Sequence, residues 1–195
     1  YPIRVIHNGI DLKIFKPTSS DFREKYAIKK YMILGVAFGW GKKKGLDVFI
    51  ELRKRLSEEF SIVLVGTNNS VDQALPVNIT SIHKTNNTKE LAEIYTAADV
   101  FVIPTREDNY PIVNMEAISC GTPVVTFETG GSPEMLDQDT GVVVPCDDVN
   151  ALEDSIRRIC EEKPFLVEKC VTKAKVFDQD VRYKEYVNLI NGMIG

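Results

Sequence analysis

Val100-Phe101-Val102-Ile103 is a run of four apolar, β-prone residues closed by Pro104, and Ile62-Val63-Leu64-Val65 is a second of the same kind. A strand with water on one face alternates apolar and polar side chains. A run without alternation is a strand covered on both faces, as inside a parallel sheet. Working outward, further β-rich runs are expected at Ile3–Ile6, Met32–Ala37, Ile79–Ile82, Val124–Phe127 and Val142–Val144. Helical patterns fall between them. Lys44–Glu58 sets Phe49, Leu52 and Leu56 on one stripe, and Lys89–Ala98 does the same with Leu91, Ile94 and Tyr95. Pro111–Cys120 opens on a proline and stops before Gly121, as a helix should. A short helix over Asp21–Tyr26 follows the capping residues Ser19-Ser20, and Asn150–Glu162, Phe165–Lys175 and Asp180–Asn191 close the chain. This rhythm predicts an α/β fold, a doubly wound, Rossmann-like parallel sheet with helices on both faces. Ligands of such sheets bind beyond the carboxyl ends of the strands, so the informative residues follow Ala37, Val65, Ile82, Pro104 and Phe127.

Composition bounds the function. A chain of 195 residues, 44% hydrophobic and 27% charged, suits a folded domain and excludes disordered and collagen-like classes. Lys+Arg 24 against Asp+Glu 28 leaves a net charge of −4, so no nucleic acid is expected as a partner, although a small anion needs only a local basic site. No apolar run nears the roughly 20 residues of a membrane helix. Cys120, Cys146, Cys160 and Cys170 form no CxxC pair, and His7 and His83 complete no zinc spacing. The thiols read as reduced, inert filler of a cytoplasmic protein. The chain begins Tyr1-Pro2-Ile3-Arg4 inside an apolar run, without the basic and apolar regions of a signal peptide, and reads as a piece of a longer protein cut just before a strand.

Three stretches fall at strand ends. Phe38-Gly39-Trp40-Gly41-Lys42-Lys43-Lys44-Gly45 combines glycines, lysines and a helix start, which suits a phosphate cradle; a solvated Lys-rich turn has the same composition. Thr105–Glu116 leads into a helix whose first N–H groups, on Ile112, Val113 and Asn114, can face a phosphate. Asp108 and Glu116 can accept paired hydrogen bonds from the vicinal hydroxyls of a sugar or ribose, or be an N-cap and a solvated helix residue. Gly130-Gly131-Ser132-Pro133-Glu134 offers a turn and an N-cap with proline at N1. His7 reads as a strand-end residue before the Asn8-Gly9 turn, and His83 as structural or as lining the crevice.

Taken together, these stretches resemble the C-terminal domain of a GT-B-fold glycosyltransferase of family 4, the retaining, nucleotide-sugar-dependent enzymes. The resemblance runs through Val5-Ile6-His7-Asn8-Gly9, Phe15-Lys16-Pro17, Lys44-Gly45-Leu46-Asp47, Leu91–Tyr95, Ala98–Pro104, Asp108–Glu116, Cys120–Val125, Gly130–Glu134 and Gly141–Pro145. It implies that residues 1–195 are a nucleotide-sugar (donor) binding domain, with the acceptor-binding N-terminal domain absent. It implies Asp108, Glu116 and Lys44 as catalytic residues, and donor contacts from Gly39, Lys44, Asn109, Tyr110, Pro111, Ile112, Val113 and Glu116. Glu116 would hold the ribose, Asp108 and the 109–113 backbone the sugar and diphosphate, and Lys44 the departing diphosphate. No metal and no cofactor are implied; the partners would be a UDP- or GDP-sugar, a saccharide or lipid-linked acceptor, the N-terminal domain in cis, and a membrane surface that the full-length protein could touch peripherally. Two positions depart from the family: Asp108 stands where glutamate is usual, and Phe38 or Gly39 stands where arginine is usual, leaving Lys42, Lys43 or Arg106 to assist Lys44. Phe177, Tyr183 and Tyr186 would pack either on the absent domain or on this sheet. The alternatives are a non-catalytic nucleotide-sugar-binding module, a nucleotide-sugar epimerase, for which the cleft offers few acid–base residues, and a flavodoxin-like signalling domain, against which Met32–Ala37 leads into lysines rather than an acidic cluster.

Overall fold

In the computed structural model, which describes residues 3–194, six parallel strands form one sheet. They are β1 (Tyr31–Val36), β2 (Phe60–Val65), β3 (Ile79–Ile82), β4 (Val100–Ile103), β5 (Val124–Phe127) and β6 (Gly141–Val144). The order is β3-β2-β1-β4-β5-β6. The two unalternating runs flank the central strand, with Ile33 of β1 level with Ile62 of β2 and with Val100 of β4. The winding reverses between β1 and β4, the switch point where a crevice opens above the strand ends.

The helices are α1 (Phe22–Lys25), α2 (Leu46–Arg55), α3 (Asn69–Asp72), α4 (Thr88–Ala97), α5 (Ile112–Ser119), α6 (Val149–Glu162), α7 (Val167–Ala174) and α8 (Gln179–Ile194). Because successive strand side chains point to opposite faces, each strand supplies two cores. Met32, Leu34, Phe101 and Ile103 meet Tyr95 of α4, Met115 and Ile118 of α5 and Cys170 of α7. Ile33, Ile62, Val100 and Val102 meet Phe49 and Leu52 of α2 and Leu152 and Ile156 of α6. Burying each large apolar side chain contributes about 1.5–3 kcal/mol.

Three expectations are corrected, and one helix is added. Ile3–Ile6 is not a strand: no sheet edge lies beside it, and Ile3 and Val5 are left exposed. The incoming chain instead makes one parallel bridge, Ile10 N–H to Phe177 O (2.8 Å) and Gln179 N–H to Ile10 O (3.0 Å). His7 is therefore not a strand-end residue; its ring lies 4.3 Å from that of Tyr110. The second helix starts at Leu46 and not at Lys44, because Lys42–Lys44 forms a 3-10 turn that ends at Gly45 with φ +74°. Finally, α3 was not foreseen; it is four polar-rich residues held by Asn68, whose Oδ1 accepts the N–H groups of Ser70 and Val71 at 3.0 Å. Phe177 is buried in this chain's own core, whereas Tyr183 and Tyr186 are exposed on α8. No described helix is long and apolar enough to cross a membrane.

Candidate functional site

The turn after β1 is fixed by one residue. Trp40 is buried, donates its indole N–H to Val65 O (2.9 Å) and meets Phe49 edge-on, while Phe38 projects into solvent. The lysine turn then presses against the end of β4. A Cβ at Gly45 would sit 2.4 Å from Pro104 O, so glycine alone fits both the space and the left-handed backbone. Thr105 Oγ1 and Arg106 N–H donate to Lys43 O at 3.1 and 2.8 Å.

These contacts sort the cations. Arg106 donates to Lys42 O, to both oxygens of Asp47 (2.9 Å each) and to Asp147 (2.7 Å). The hydrogen bond with Asp47 is the main cause that raises the Arg106 pKa, and the same guanidinium lowers that of Asp47. Arg106 is thus a brace between loops and is not free to assist Lys44. Lys43 pairs with Glu107 (2.6 Å) at the surface. Lys44 pairs with Asp108 (2.6 Å) in a half-buried position and borders a hollow of about 310 Å³.

The loop after β4 is built to leave α5 open. Pro111 occupies the N-cap in extended conformation and no side chain caps the helix, so neither Asp108 nor Asn109 is a cap. The N–H of Asn114 goes to Pro111 O (3.1 Å), which removes it from the expected set and leaves those of Ile112 and Val113, the first two of the helix, without an intrahelical partner. Gly130-Gly131 supports this loop from behind. Gly131 N–H donates to Asn109 O (2.7 Å), and a Cβ on Gly130 (φ +51°) would collide with Asp108 O. Ser132 precedes a 3-10 turn, as expected, but does not cap it; its hydroxyl accepts from Asn114 Nδ2 (2.7 Å) and bonds Thr126 Oγ1 (2.7 Å) in the interior.

Glu116, one turn further along α5, is not a solvated helix residue. Tyr95 Oη–H donates to its Oε2 at 2.9 Å. Burial pushes the Glu116 carboxyl up, and the Tyr95 hydrogen bond partly opposes this; burial and the Glu116 charge raise Tyr95 in turn. Glu116 borders a second, larger hollow of about 730 Å³. The two hollows share Val36, Ala37, Phe38 and Val113, so Lys44 and Glu116 lie on one crevice at the carboxyl ends of the strands.

Of the residues expected from the sequence, Lys44, Asp108, Tyr110, Pro111, Ile112 and Val113 line the first hollow, and Gly39, Val113 and Glu116 the second. Asn109 borders neither; it is exposed, and its carbonyl supports Gly131. Asn8 on the first hollow and Thr67 on the second were missed; for Thr67 the signal was its place just past the end of β2. Three thiols, Cys120, Cys160 and Cys170, are buried and pushed up to about 12, while Cys146 is exposed and so is not core filler.

Comparison with known proteins fits this geometry. The family profile described as Glycosyl transferases group 1 matches residues 30–162. A D-inositol 3-phosphate glycosyltransferase of Xylanimonas cellulosilytica is 30% identical over 172 residues, covering 78% of this chain and 41% of that protein. Sucrose-phosphate synthase from Thermosynechococcus elongatus superposes with a TM-score of 0.84 at 24% identity, over 98% of this chain and 52% of that one. HepE of Anabaena, solved in complex with UDP-glucose, gives a TM-score of 0.81 at 17% identity, over 97% and 57%. The chain therefore spans about two fifths of the curated relative and a little over half of each solved structure.

Proposed function

The chain belongs to the glycosyl transferases group 1, and from that premise we propose that it is the donor-binding domain of a retaining, family 4-like hexosyltransferase. It takes a UDP- or GDP-sugar and presents the sugar to a saccharide or lipid-linked acceptor held by a preceding domain. The observation that carries this reading is the placement of the Lys44–Asp108 pair, the open start of α5 and Glu116 along one crevice. The UDP-glucose held by the Anabaena protein supports the ligand class.

The chemistry follows from charge. A departing diphosphate gains negative charge in the transition state, so a fixed ammonium and helix N–H groups aimed at it favour that state over the ground state. Lys44 has three donors and can hold Asp108 and a phosphate oxygen together. Asp108 keeps the ammonium aimed and meets the sugar hydroxyls. The N–H groups of Ile112 and Val113, at the positive end of the α5 dipole, meet the diphosphate. Glu116 accepts from the ribose hydroxyls; those donors stabilise its ionised form, which burial alone disfavours.

A thermal-shift panel of UDP- and GDP-sugars tests the proposal. A bound donor at a hundredfold excess over Kd stabilises by about 2.7 kcal/mol, and no shift with any of them overturns the reading. The chain alone binds donor without transferring it, because acceptor positioning, worth roughly 7–11 kcal/mol of barrier, belongs to the other domain. Transfer by the chain alone at the full-length rate overturns that division. One observation favours the non-catalytic binding module as a second reading: Arg106 is held by Asp47 and Asp147, which leaves Lys44, among the described residues, as the cation lining the first hollow. Full-length protein that binds donor yet transfers to no acceptor would establish it.

A further inference from the structure

Tyr95 of α4 has no exposed surface, yet its hydroxyl reaches the carboxylate that borders the larger hollow. The phenol has little freedom. Phe15 and Phe101 meet its ring edge-on, with centroids 6.4 and 5.5 Å away, and Thr122 Oγ1 donates to the Tyr95 carbonyl (2.6 Å). A ring packed in this way holds its hydroxyl in one place.

Glu116 has no cation to balance it. Among the described residues no Lys, Arg or His pairs with its carboxylate, and Tyr95 is the one donor to it, at Oε2. Burial favours the neutral carboxyl, and the phenol works against that. Tyr95 stays protonated across the neutral range, because burial and the Glu116 charge raise its own pKa. Other titratable groups nearby do not supply the same hold. Cys120, at the end of α5, is a thiol pushed up to about 12 by burial. His83 and Lys84 border the hollow without bonding Glu116, and His83 Nε2 is paired with Asp72 (2.6 Å). Lys44 and Asp108, on the adjoining hollow, pair with each other.

Resting on the donor-domain reading, in which Glu116 takes the ribose, we propose that Tyr95 is a positioning residue for the nucleotide: it holds the Glu116 carboxylate by Oε2 as an anion and leaves Oε1 to accept from the vicinal ribose hydroxyls. Each of those hydroxyls gives a proton. A carboxylate takes both, whereas a neutral carboxyl carries a proton that itself needs an acceptor.

Titration calorimetry of this chain and of Tyr95→Phe with UDP and GDP tests the proposal. The substitution keeps the packed ring and removes the hydroxyl alone. For whichever nucleotide the wild type binds more tightly, the variant is expected to bind about three- to tenfold more weakly near about pH 6. Near about pH 8.5 the two should agree within about twofold, because the variant's carboxyl has ionised there as well. Near pH 6 the variant should also release more protons on binding, read as a heat that varies with the ionisation enthalpy of the buffer. His83 and the ligand's terminal phosphate titrate in the same window, but both are common to the two titrations, so the difference between them reports Glu116. Affinity for inorganic diphosphate, which has no ribose, should not change. In a Glu116→Gln background, Tyr95→Phe should alter nucleotide affinity by less than about twofold at either pH. A loss of equal size at both pH values makes Tyr95 a packing residue and overturns the inference. So does a variant that binds as the wild type does near pH 6, or a full loss that persists without the Glu116 carboxylate. A wild-type chain that binds neither nucleotide overturns the donor-domain reading instead.

Discussion

The two ends of the sheet use similar charges for opposite purposes. At the amino end, Arg53 is buried and donates to Phe60 O, Leu56 O and Ser57 O at 2.5–2.7 Å. Arg23 donates to Ala97 O (2.8 Å), Lys30 O (2.7 Å) and Asp99 (2.9 Å), and Asp99 also accepts the Met32 N–H that opens β1. Most of those donors are engaged by the chain's own backbone; Arg23 also reaches the Asp99 carboxylate, and Arg53 Nε is buried without a partner. At the carboxyl end, Lys44 has one carboxylate, and Ile112 and Val113, whose N–H groups have no intrahelical partner, border a hollow. The difference lies in how much hydrogen-bonding capacity is left over: one buried Nε at Arg53, against most of the ammonium and two helix N–H groups at the carboxyl end. A cation surrounded by its own carbonyls holds the fold, and one with donors left over beside a cavity is available to a ligand.

The largest expected effect lies at the amino end. Arg53→Leu strands three carbonyls and should lower stability by about 2–4 kcal/mol. It should leave nucleotide-sugar affinity of the folded protein unchanged; urea midpoints and calorimetry measure the two separately, and a loss of affinity would blur the contrast. Lys44→Met should do the reverse. Affinity for a donor sugar falls by about ten- to hundredfold, the worth of a charged hydrogen bond, while the half-exposed pair with Asp108 costs under about 1 kcal/mol of stability. Equal losses in both would make Lys44 structural.

Glu116→Gln should weaken binding by about tenfold and sharpen the comparison through pH. A carboxyl with a raised pKa in the fold contributes stability in its protonated form. That contribution is full below the ordinary value of 4.5 and is lost as pH rises through the raised value. Glutamine does not titrate, so Glu116→Gln should gain stability relative to wild type as pH climbs from 4.5 towards neutral. Chemical denaturation across that window reads the difference, and a variant that loses ground on the way up would contradict the burial argument. The smallest effect is at Lys43→Ala: its pair with Glu107 is exposed on both sides, and stability and affinity should each stay within about 0.5 kcal/mol.

The sheet was legible because unalternating apolar runs such as Val100–Ile103 leave a strand no wet face. Ile3–Ile6 has similar composition and failed, since a short apolar run says nothing about whether a strand edge lies beside it. Lys44, Asp108 and Glu116 were legible as a group, because the strand-end rule brings together residues some seventy positions apart in the chain. Their individual states were not. Only the approach of Gly45 to Pro104 shows which lysine faces the crevice, and only Asp47 and Asp147 show that Arg106 is engaged. The four-residue helix carrying Asp72 has no periodicity to detect, so the partner of His83 was invisible until the fold placed it.

The brace made by Arg106 has a calorimetric consequence. It ties the turn after β1, the start of α2 and the turn after β6 into one unit. The floor under the crevice is therefore ordered before any ligand arrives, and few torsions remain to be frozen on binding. The heat-capacity change on binding should then scale with the surface removed from water, without the excess that accompanies loop folding. Cutting the brace with Arg106→Gln should make that change more negative, as the released turns fold around the ligand.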